Sequence, residues 1–137
     1  PGRQEGRFAV IAGIGVDIVV VEDLACRMAR SPGLEARVFD PSESAWCRGM
    51  AEPGQHFAAR FAAKEAVMKA LGTGWSGGVG FRDIVVVRGA EGPPTVALQG
   101  EAGRRVAAAV GKVSISLSHA GGTAIAFAVF ETVEVPA

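Results

Sequence analysis

Three places in the sequence put a polar side chain among apolar residues, and these side chains are the first candidates for chemistry. The first is Asp17, which follows Gly13 and Gly15 in an otherwise apolar stretch. Burying an ionised carboxylate costs free energy unless a cation or several hydrogen-bond donors compensate its charge. Asp17 is therefore a candidate metal ligand at a strand end. The alternative is a helix cap or a hydrogen-bonded turn residue, and spacing alone leaves both open.

The second place is the pair Lys64-Glu65. At about 100° per residue, a helix through this segment has an apolar stripe that consists of Phe57, Phe61, Met68 and Leu71. Lys64 projects near the middle of the stripe and Glu65 at its edge. The pair is a candidate for a metal-binding carboxylate beside a phosphate-binding ammonium. Alternatively, Lys64 extends along the stripe to bring its ammonium to water, and Glu65 forms a surface ion pair with Lys69, four residues on.

The third place is His119, at the end of a stretch in which polar and apolar residues alternate. Val113, Ile115 and Leu117 would share one face of a strand with it, and the intervening serines would line the other face. A histidine on an apolar face is often a hydrogen-bonded core residue. The position beside the Gly121-Gly122 turn also suits a catalytic group at a strand end, so both interpretations stay open.

The elements that must position these residues are predicted from hydrophobic period and from capping and turn residues. Strands are predicted at residues 8–20, 84–88, 95–98, 112–120 and 123–131. Helices are predicted at residues 22–30, from the cap Asp40-Pro41-Ser42-Glu43 to about Met50, and at residues 55–71 and 101–110. Residues 75–80 form a predicted glycine-rich loop, and Gly121-Gly122 a predicted hairpin turn. This mixture of elements indicates one α+β domain.

Composition and charge limit the classes of function. The chain has 137 residues, of which 49% are hydrophobic and 20% charged, and this indicates one compact globular domain. The 14 basic and 14 acidic residues cancel, which gives no indication of a nucleic-acid partner. Two cysteines, Cys26 and Cys47, make neither a disulfide framework nor a zinc site. We therefore expect a reduced, cytoplasmic protein.

The apolar run at residues 8–21 follows Arg3 and Arg7 and so has the outline of a signal peptide. It contains Asp17, has no small-residue cleavage site and continues into acidic residues, so we do not expect it to be one. We also expect no membrane span, because no apolar stretch is long enough. Residues 1–7 are expected to be a tag or linker remnant, and residues 8–137 the domain.

Taken in order, three motifs resemble those of one family. They are Gly13-Ile14-Gly15-Val16-Asp17-Ile18, Arg60-Phe61-Ala62-Ala63-Lys64-Glu65-Ala66 and Ser116-Leu117-Ser118-His119. Their order and spacing resemble holo-acyl-carrier-protein synthase, the small class of 4'-phosphopantetheinyl transferases. Weaker matches are Arg37-Val38-Phe39 followed by Glu43, Lys69-Ala70-Leu71-Gly72-Thr73-Gly74, Phe81-Arg82-Asp83-Ile84 and Gly92-Pro93-Pro94. The resemblance covers nearly the whole chain, and its middle motif is the specific one.

The resemblance implies an α+β fold in which an antiparallel sheet packs with a long central helix. It also implies a reaction in which the 4'-phosphopantetheine arm of coenzyme A passes to a serine of an apo acyl carrier protein. The leaving group would be adenosine 3',5'-bisphosphate. Such an enzyme requires Mg²⁺, serves fatty-acid or other lipid biosynthesis in the cytoplasm, and works as a homotrimer with sites at subunit interfaces. The alternative is a non-catalytic module that binds coenzyme A or the carrier protein.

The resemblance also implies roles for single residues. Asp17 and Glu65 would be magnesium ligands, and Lys64 would supply a point charge to the phosphates of coenzyme A. Glu65, Lys64 and His119 would be the catalytic residues, with either Glu65 or a water molecule as the acceptor of the serine proton. The residues implied in coenzyme A binding are Lys64, Lys69, Gly72, Thr73, Gly74, Ser118 and His119.

Docking of the acidic carrier protein would use Arg27 and Arg30, which lie three residues apart and so on one side of a helix. An ordinary solvated helix face is the alternative. Two positions depart from the family pattern: Asp23 stands where an arginine is common, and Ala120 where a polar side chain is common. We expect Asp23 to change which carrier is bound or how tightly it is bound, and Ala120 to reduce the activity. The sequence leaves open whether the carrier serves fatty-acid or polyketide synthesis.

Overall fold

A computed structural model describes residues 8–74, 78–88 and 92–134 of the chain. The strands are β1 (Phe8–Val20), β2 (Ile84–Val87), β3 (Thr95–Leu98), β4 (Lys112–Ala120) and β5 (Thr123–Glu134). The helices are α1 (Val21–Arg30), α2 (Leu34–Val38), α3 (Pro41–Arg48), α4 (Pro53–Leu71) and α5 (Gly100–Ala108), with a 3₁₀ turn at Phe81–Asp83. Every predicted element is found. The short helix α2 and the 3₁₀ turn were not predicted, because a single turn of helix is too short to show a period.

The strands form two antiparallel sheets, which confirms the predicted α+β class. One sheet has three strands in the order β1-β5-β4, and β2 pairs with β3 in the other. The turn between β4 and β5 has positive φ at Gly121 and Gly122, 57° and 81°, as a two-residue hairpin turn requires. In the resulting register, Ala126 of β5 lies between Asp17 of β1 and Leu117 of β4.

Helix α4 lies across one face of the three-stranded sheet at very short range. An ideal Cβ added to Gly13 or to Gly15 would stand 1.9 Å from a carbonyl oxygen of α4, that of Ala70 or of Ala66 respectively. The residues where the two surfaces meet are small and buried: Ala62, Ala66, Ala70, Ala126 and Ala128. The first motif therefore contains two glycines because the backbones of β1 and α4 touch there.

A second group of apolar side chains fills the space between the N-terminal half of α4 and helices α1 to α3. Leu24, Phe39, Cys47 and Phe57 are all buried in it. Burial raises the pKa of the Cys47 thiol to about 11, so at neutral pH this cysteine is an apolar packing residue. Because α4 is covered by the sheet on one side and by these helices on another, it is buried around most of its circumference.

The opposite face of the three-stranded sheet is apolar and uncovered in the single chain. We call it the outer sheet face; its apolar residues are Ile14, Val16, Ile18, Ile125 and Phe127, which are between 41% and 64% exposed. They are cross-strand neighbours, since Val16 pairs with Phe127 and Ile18 with Ile125. A contiguous apolar surface of this kind marks an interaction site more often than a solvated face.

None of the helices in the described part of the chain combines the length and the apolar character that a membrane crossing needs.

The contact between β1 and α4 generates a prediction about stability. We expect Gly15→Ala to lower the free energy of unfolding by about 3 kcal/mol or more, because the added methyl group forces the two backbones apart. Gly80→Ala is the matched control, since a Cβ there meets no atom within 4 Å and its φ of −105° suits alanine. Urea unfolding of both variants is the measurement. Equal stability of the two would contradict the close approach.

Candidate functional site

Asp17 lies on the face of β1 that packs against α4. Alternation along the strand puts it on the same side as Gly15, and its side chain is 20% exposed. Lys69, near the end of α4, reaches across to this strand. Its ammonium donates to the Val16 carbonyl at 2.9 Å and lies 3.4 Å from Asp17 Oδ1. The lysine therefore supplies one positive charge beside the carboxylate.

Glu65, one turn before Lys69 on α4, opens into the same pocket as Asp17. The pocket has a volume of about 360 Å³, and its lining also includes Asp23, Arg27 and Phe61. Burial raises the pKa of the Glu65 carboxyl, and the negative charge of Asp17 raises it further, while Lys69 and Arg27 oppose both effects. Two carboxylates thus line one small pocket, and the charge of Asp17 makes ionisation of Glu65 more costly.

This pair of carboxylates fits the requirements of a magnesium ion. Within the ranges that the structure describes, no group of three or more histidine, cysteine and acidic side chains is arranged to hold a metal. Mg²⁺ does not need such a group, because it takes one or two carboxylates and completes its octahedron with water and substrate phosphates. A divalent cation between Asp17 and Glu65 would remove the repulsion that raises the pKa of Glu65.

Lys64 is not brought to this pocket, although it precedes Glu65 in the chain. Its side chain is fully buried, and its ammonium donates to Glu43 Oε1 at 2.7 Å, to the Phe81 carbonyl at 3.1 Å and to the Ile84 carbonyl. A lysine ammonium has three N–H donors, and these contacts use all of them. The predicted contact of Lys64 with phosphate is therefore corrected: in this fold the side chain lies in the interior.

His119 and Ser118 are exposed at the far end of β4. The His119 ring faces that of His56, with the ring centres 6.0 Å apart. His56 precedes Glu65 by nine residues on α4, which is roughly 13 Å along the helix axis. The structure therefore does not bring His119 together with Asp17 and Glu65 within one chain. Ala120, which departs from the family pattern, shares a small cleft with His119.

A basic and aromatic group surrounds His56 and was missed by the sequence analysis. The Arg60 guanidinium stacks 3.9 Å from the centre of the Trp46 ring, and Arg88 lies 5.7 Å from the same ring. Arg60 is only 2% exposed, and its Nε has no hydrogen-bond partner in the described part of the chain. Burial and the positive charges of Arg60 and His119 lower the pKa of His56. An arginine among the alanines and phenylalanines of α4 was the available signal.

Gly72, Thr73 and Gly74 follow the end of α4. Gly72 ends the helix with a φ of 73°, which is left-handed and favours glycine. The Thr73 side chain is buried, and its hydroxyl lies 3.4 Å from the Met68 carbonyl within the chain. The predicted approach of a nucleotide to this segment would therefore use backbone atoms. Of the predicted glycine-rich loop, residues 75–77 lie outside the described residues.

The predicted carrier-docking residues lie on the exposed side of α1. Arg27 and Arg30 line one shallow surface groove together with Asp23 and the exposed Cys26. Asp23 and Arg27 also line the pocket of Asp17 and Glu65. Helix α1 thus connects the carboxylate pocket with a surface that carries two arginines; its acidic residues, Glu22 and Asp23, lie in the first turn and the arginines in the last turn.

Comparison with known proteins agrees with this arrangement. A sequence profile of the 4'-phosphopantetheinyl transferase superfamily matches residues 13–128. The holo-[acyl-carrier-protein] synthase of Geotalea daltonii is 44% identical over 124 residues, covering 89% of this chain and 99% of its own.

Two solved structures are similar throughout. Holo-[acyl-carrier-protein] synthase from Neisseria meningitidis superposes with a TM-score of 0.79 at 34% identity, over 88% of this chain and 98% of its own. The holo-(acyl-carrier-protein) synthase from Bacillus anthracis, solved in complex with coenzyme A (3',5'-ADP), has a TM-score of 0.73 at 31% identity. The match covers 89% of this chain and 97% of the Bacillus anthracis chain. The resemblance seen in the sequence is thereby confirmed, and the chain belongs to the 4'-phosphopantetheinyl transferase superfamily, among its holo-[acyl-carrier-protein] synthases.

Proposed function

We propose that this protein transfers the 4'-phosphopantetheine group of coenzyme A to a serine of an apo acyl carrier protein. The observation that carries the proposal is the shared pocket of Asp17 and Glu65, which offers a magnesium site beside the helix that carries Arg27 and Arg30. Membership of the family supports it, as does the complex of the Bacillus anthracis relative with coenzyme A.

In the proposed reaction the serine oxygen attacks the phosphorus atom that carries pantetheine. A new phosphorus–oxygen bond forms, and the bond to adenosine 3',5'-bisphosphate breaks. A magnesium ion bound to Asp17 and Glu65 would offset negative charge on the pyrophosphate as this happens. Lys69, whose ammonium already lies at the pocket, would contact the same phosphates.

Glu65 is the proton acceptor that this chain offers for the serine hydroxyl, with a water molecule as the alternative. Its pKa is raised above that of an ordinary glutamate, mainly by burial. Both metal binding and proton transfer need the ionised carboxylate. Mg²⁺ must therefore compete with a proton that Glu65 releases less readily than an ordinary glutamate, so we expect the Mg²⁺ concentration for half-maximal rate to rise as the pH falls.

The functional test is the mass of an apo acyl carrier protein after incubation with this protein, coenzyme A and Mg²⁺. We expect a gain of one phosphopantetheine that disappears with chelator and falls by roughly 100-fold or more in Glu65→Gln. Glu134→Gln, an exposed carboxylate at the end of β5, is the control and should retain full activity. A folded protein that binds coenzyme A but modifies no carrier would indicate a binding module instead, with Asp23 and Ala120 as the first residues to exchange.

Carrier docking generates a second prediction. Arg27→Glu combined with Arg30→Glu should raise KM for an acidic carrier at least tenfold and leave KM for coenzyme A within twofold, because the two arginines line an exposed groove of α1 to which we assign the carrier. The difference in KM for the carrier between the variant and the wild type should become smaller with added salt, because salt screens exposed charges. The matched control is Arg104→Glu with Lys112→Glu, which makes the same charge change elsewhere on the exposed surface. Equal effects on both KM values would overturn the docking role.

We also propose that the protein assembles as a homotrimer through the outer sheet face. Exposed isoleucine, valine and phenylalanine on neighbouring strands support an interface there, and a second copy is the natural cover for a surface that the chain leaves apolar. His119 and the basic group around His56 lie apart from the carboxylate pocket in one chain. In the proposed assembly, one subunit supplies Asp17 and Glu65 to each site, and its neighbour supplies His119, Ser118 and the positive charges for the nucleotide phosphates.

The assembly proposal predicts that inactive subunits can complement one another. Glu65→Gln and His119→Ala should each be inactive alone, and mixed trimers should regain part of the activity, because some sites then combine an intact Glu65 with an intact His119. Phe127→Glu should give a monomer by light scattering, whereas Val87→Glu, at a similarly exposed position of the other sheet, should leave the assembly intact. No recovery in mixed trimers would place each site within a single chain.

A cytoplasmic enzyme of lipid or polyketide biosynthesis completes the proposal. The two cysteines are unpaired, one exposed and one buried, which suits a reducing compartment.

A further inference from the structure

The most deeply buried polar contact in the described part of the chain joins Glu43 of α3 to Lys64 of α4. The two side chains are 1% and 0% exposed. Besides Lys64, Glu43 Oε1 accepts from the Asp40 backbone N–H at 2.9 Å, and Oε2 accepts from the Val86 N–H at 3.0 Å. Lys64 has no unused donor. The pair is therefore a closed network that touches α3, α4 and β2.

The acceptors of Lys64 lie at a particular place along the chain. The backbone leaves α4 at Gly72 and returns to it at the 3₁₀ turn; the Phe81 carbonyl belongs to the first residue of that turn and the Ile84 carbonyl to the residue that follows it. By binding both carbonyls, Lys64 fixes the Phe81–Ile84 segment against α4, seven residues before the helix ends.

The same contact fixes the rotation of α4 about its axis. Lys64 and Glu65 are consecutive, so their side chains leave the helix about 100° apart. When the Lys64 ammonium occupies its site among the Glu43 carboxylate and the two carbonyls, Glu65 must point to the pocket of Asp17. A rotation that moved Glu65 away would break three hydrogen bonds to a buried charge.

A contact of this kind contributes little to stability. The free energy needed to remove two charges from water is about as large as the free energy gained from their attraction. Replacing a buried ion pair by apolar side chains therefore often leaves the stability of a protein unchanged or raises it. Hydrogen bonds to a buried carboxylate and ammonium are, however, strongly directional. The pair therefore restricts the relative positions of three elements more than apolar side chains of the same volume would.

We propose that Glu43 and Lys64 are positioning residues, which set Glu65 toward the metal and hold the Gly72–Gly74 backbone and the Phe81–Ile84 segment in the geometry that accepts coenzyme A. This inference rests on the proposed transferase function and deepens it. It replaces a direct phosphate contact of Lys64 by an indirect role. Neither residue touches the substrate.

The test compares two double variants that carry the same charge. Glu43→Gln with Lys64→Met removes both charges and the ammonium donors of Lys64, whereas Glu43→Gln with Lys64→Gln removes both charges and keeps two donors at position 64. Neither leaves an unpaired buried charge. We expect both variants to fold. In the methionine variant, KM for coenzyme A and the Mg²⁺ concentration for half-maximal rate should each rise at least tenfold. In the glutamine variant, both values should return much of the way to those of the wild type. KM for the carrier should change less than twofold in both.

Assaying the wild type beside the variants distinguishes a failure of this inference from a failure of the proposed function. If the wild type modifies no carrier, the transferase proposal fails. If the wild type is active, two results would overturn the positioning role. In the first, the methionine variant keeps the wild-type KM for coenzyme A and the wild-type Mg²⁺ requirement. In the second, KM for coenzyme A, the Mg²⁺ requirement and KM for the carrier all rise together.

Hydrogen exchange of the wild type keeps the inference testable if the variants do not fold. The amides of residues 84–86 should exchange only by global unfolding in the free enzyme, because the network is complete without ligand. Coenzyme A should add protection at residues 72–74 and leave residues 84–86 unchanged. The proposal would be overturned if the amides of residues 84–86 exchange fast in the free enzyme and if coenzyme A slows that exchange.

Discussion

The contact of backbone on backbone between β1 and α4 is the constraint on which the rest of this structure depends. Gly13 and Gly15 have no side chain because the carbonyl oxygens of Ala70 and Ala66 occupy that space. The short distance brings a strand residue and a helix residue, Asp17 and Glu65, to the walls of one pocket. Longer side chains at this contact would separate the two carboxylates and leave no site that one cation could bridge.

Helix α4 performs two tasks because it is buried on most sides. Glu65 faces the sheet edge and bears the cost of a carboxylate close to another carboxylate, while its neighbour Lys64 faces the interior and is fully paired. The two charges differ in what they need. The lysine finds its counter-charge within the chain, whereas burial and Asp17 raise the pKa of the glutamate in spite of Lys69 and Arg27. Carboxyl groups with a pKa perturbed in this way cluster at functional sites.

The sequence was sufficient for the element order and for the carboxylate pair, because strand alternation, capping residues and glycine turns are local signals. It was insufficient for Lys64. Its partner Glu43 stands 21 residues away and was predicted as a capping residue, which it is, and as part of a weaker family match, neither of which indicates a contact with Lys64. His119 was foreseen as a residue of the same pocket, yet the structure puts it at the other end of α4. Only the fold shows this, since sequence order carries no information on which end of a helix a later strand reaches.

The register of the sheet determines when the protein can acquire its site. Among the described residues, the strand that carries Asp17 pairs with β5, with Asp17 opposite Ala126. Contacts between such distant residues form late, because closing a long loop costs entropy before the contact repays it. On the ribosome, β1 therefore lacks this neighbour until β5 has been translated, and until then its isoleucines and valines have no cross-strand contacts. A nascent chain can build α4 and its helical surroundings earlier, but the pocket of Asp17 and Glu65 forms only after β5 has been made.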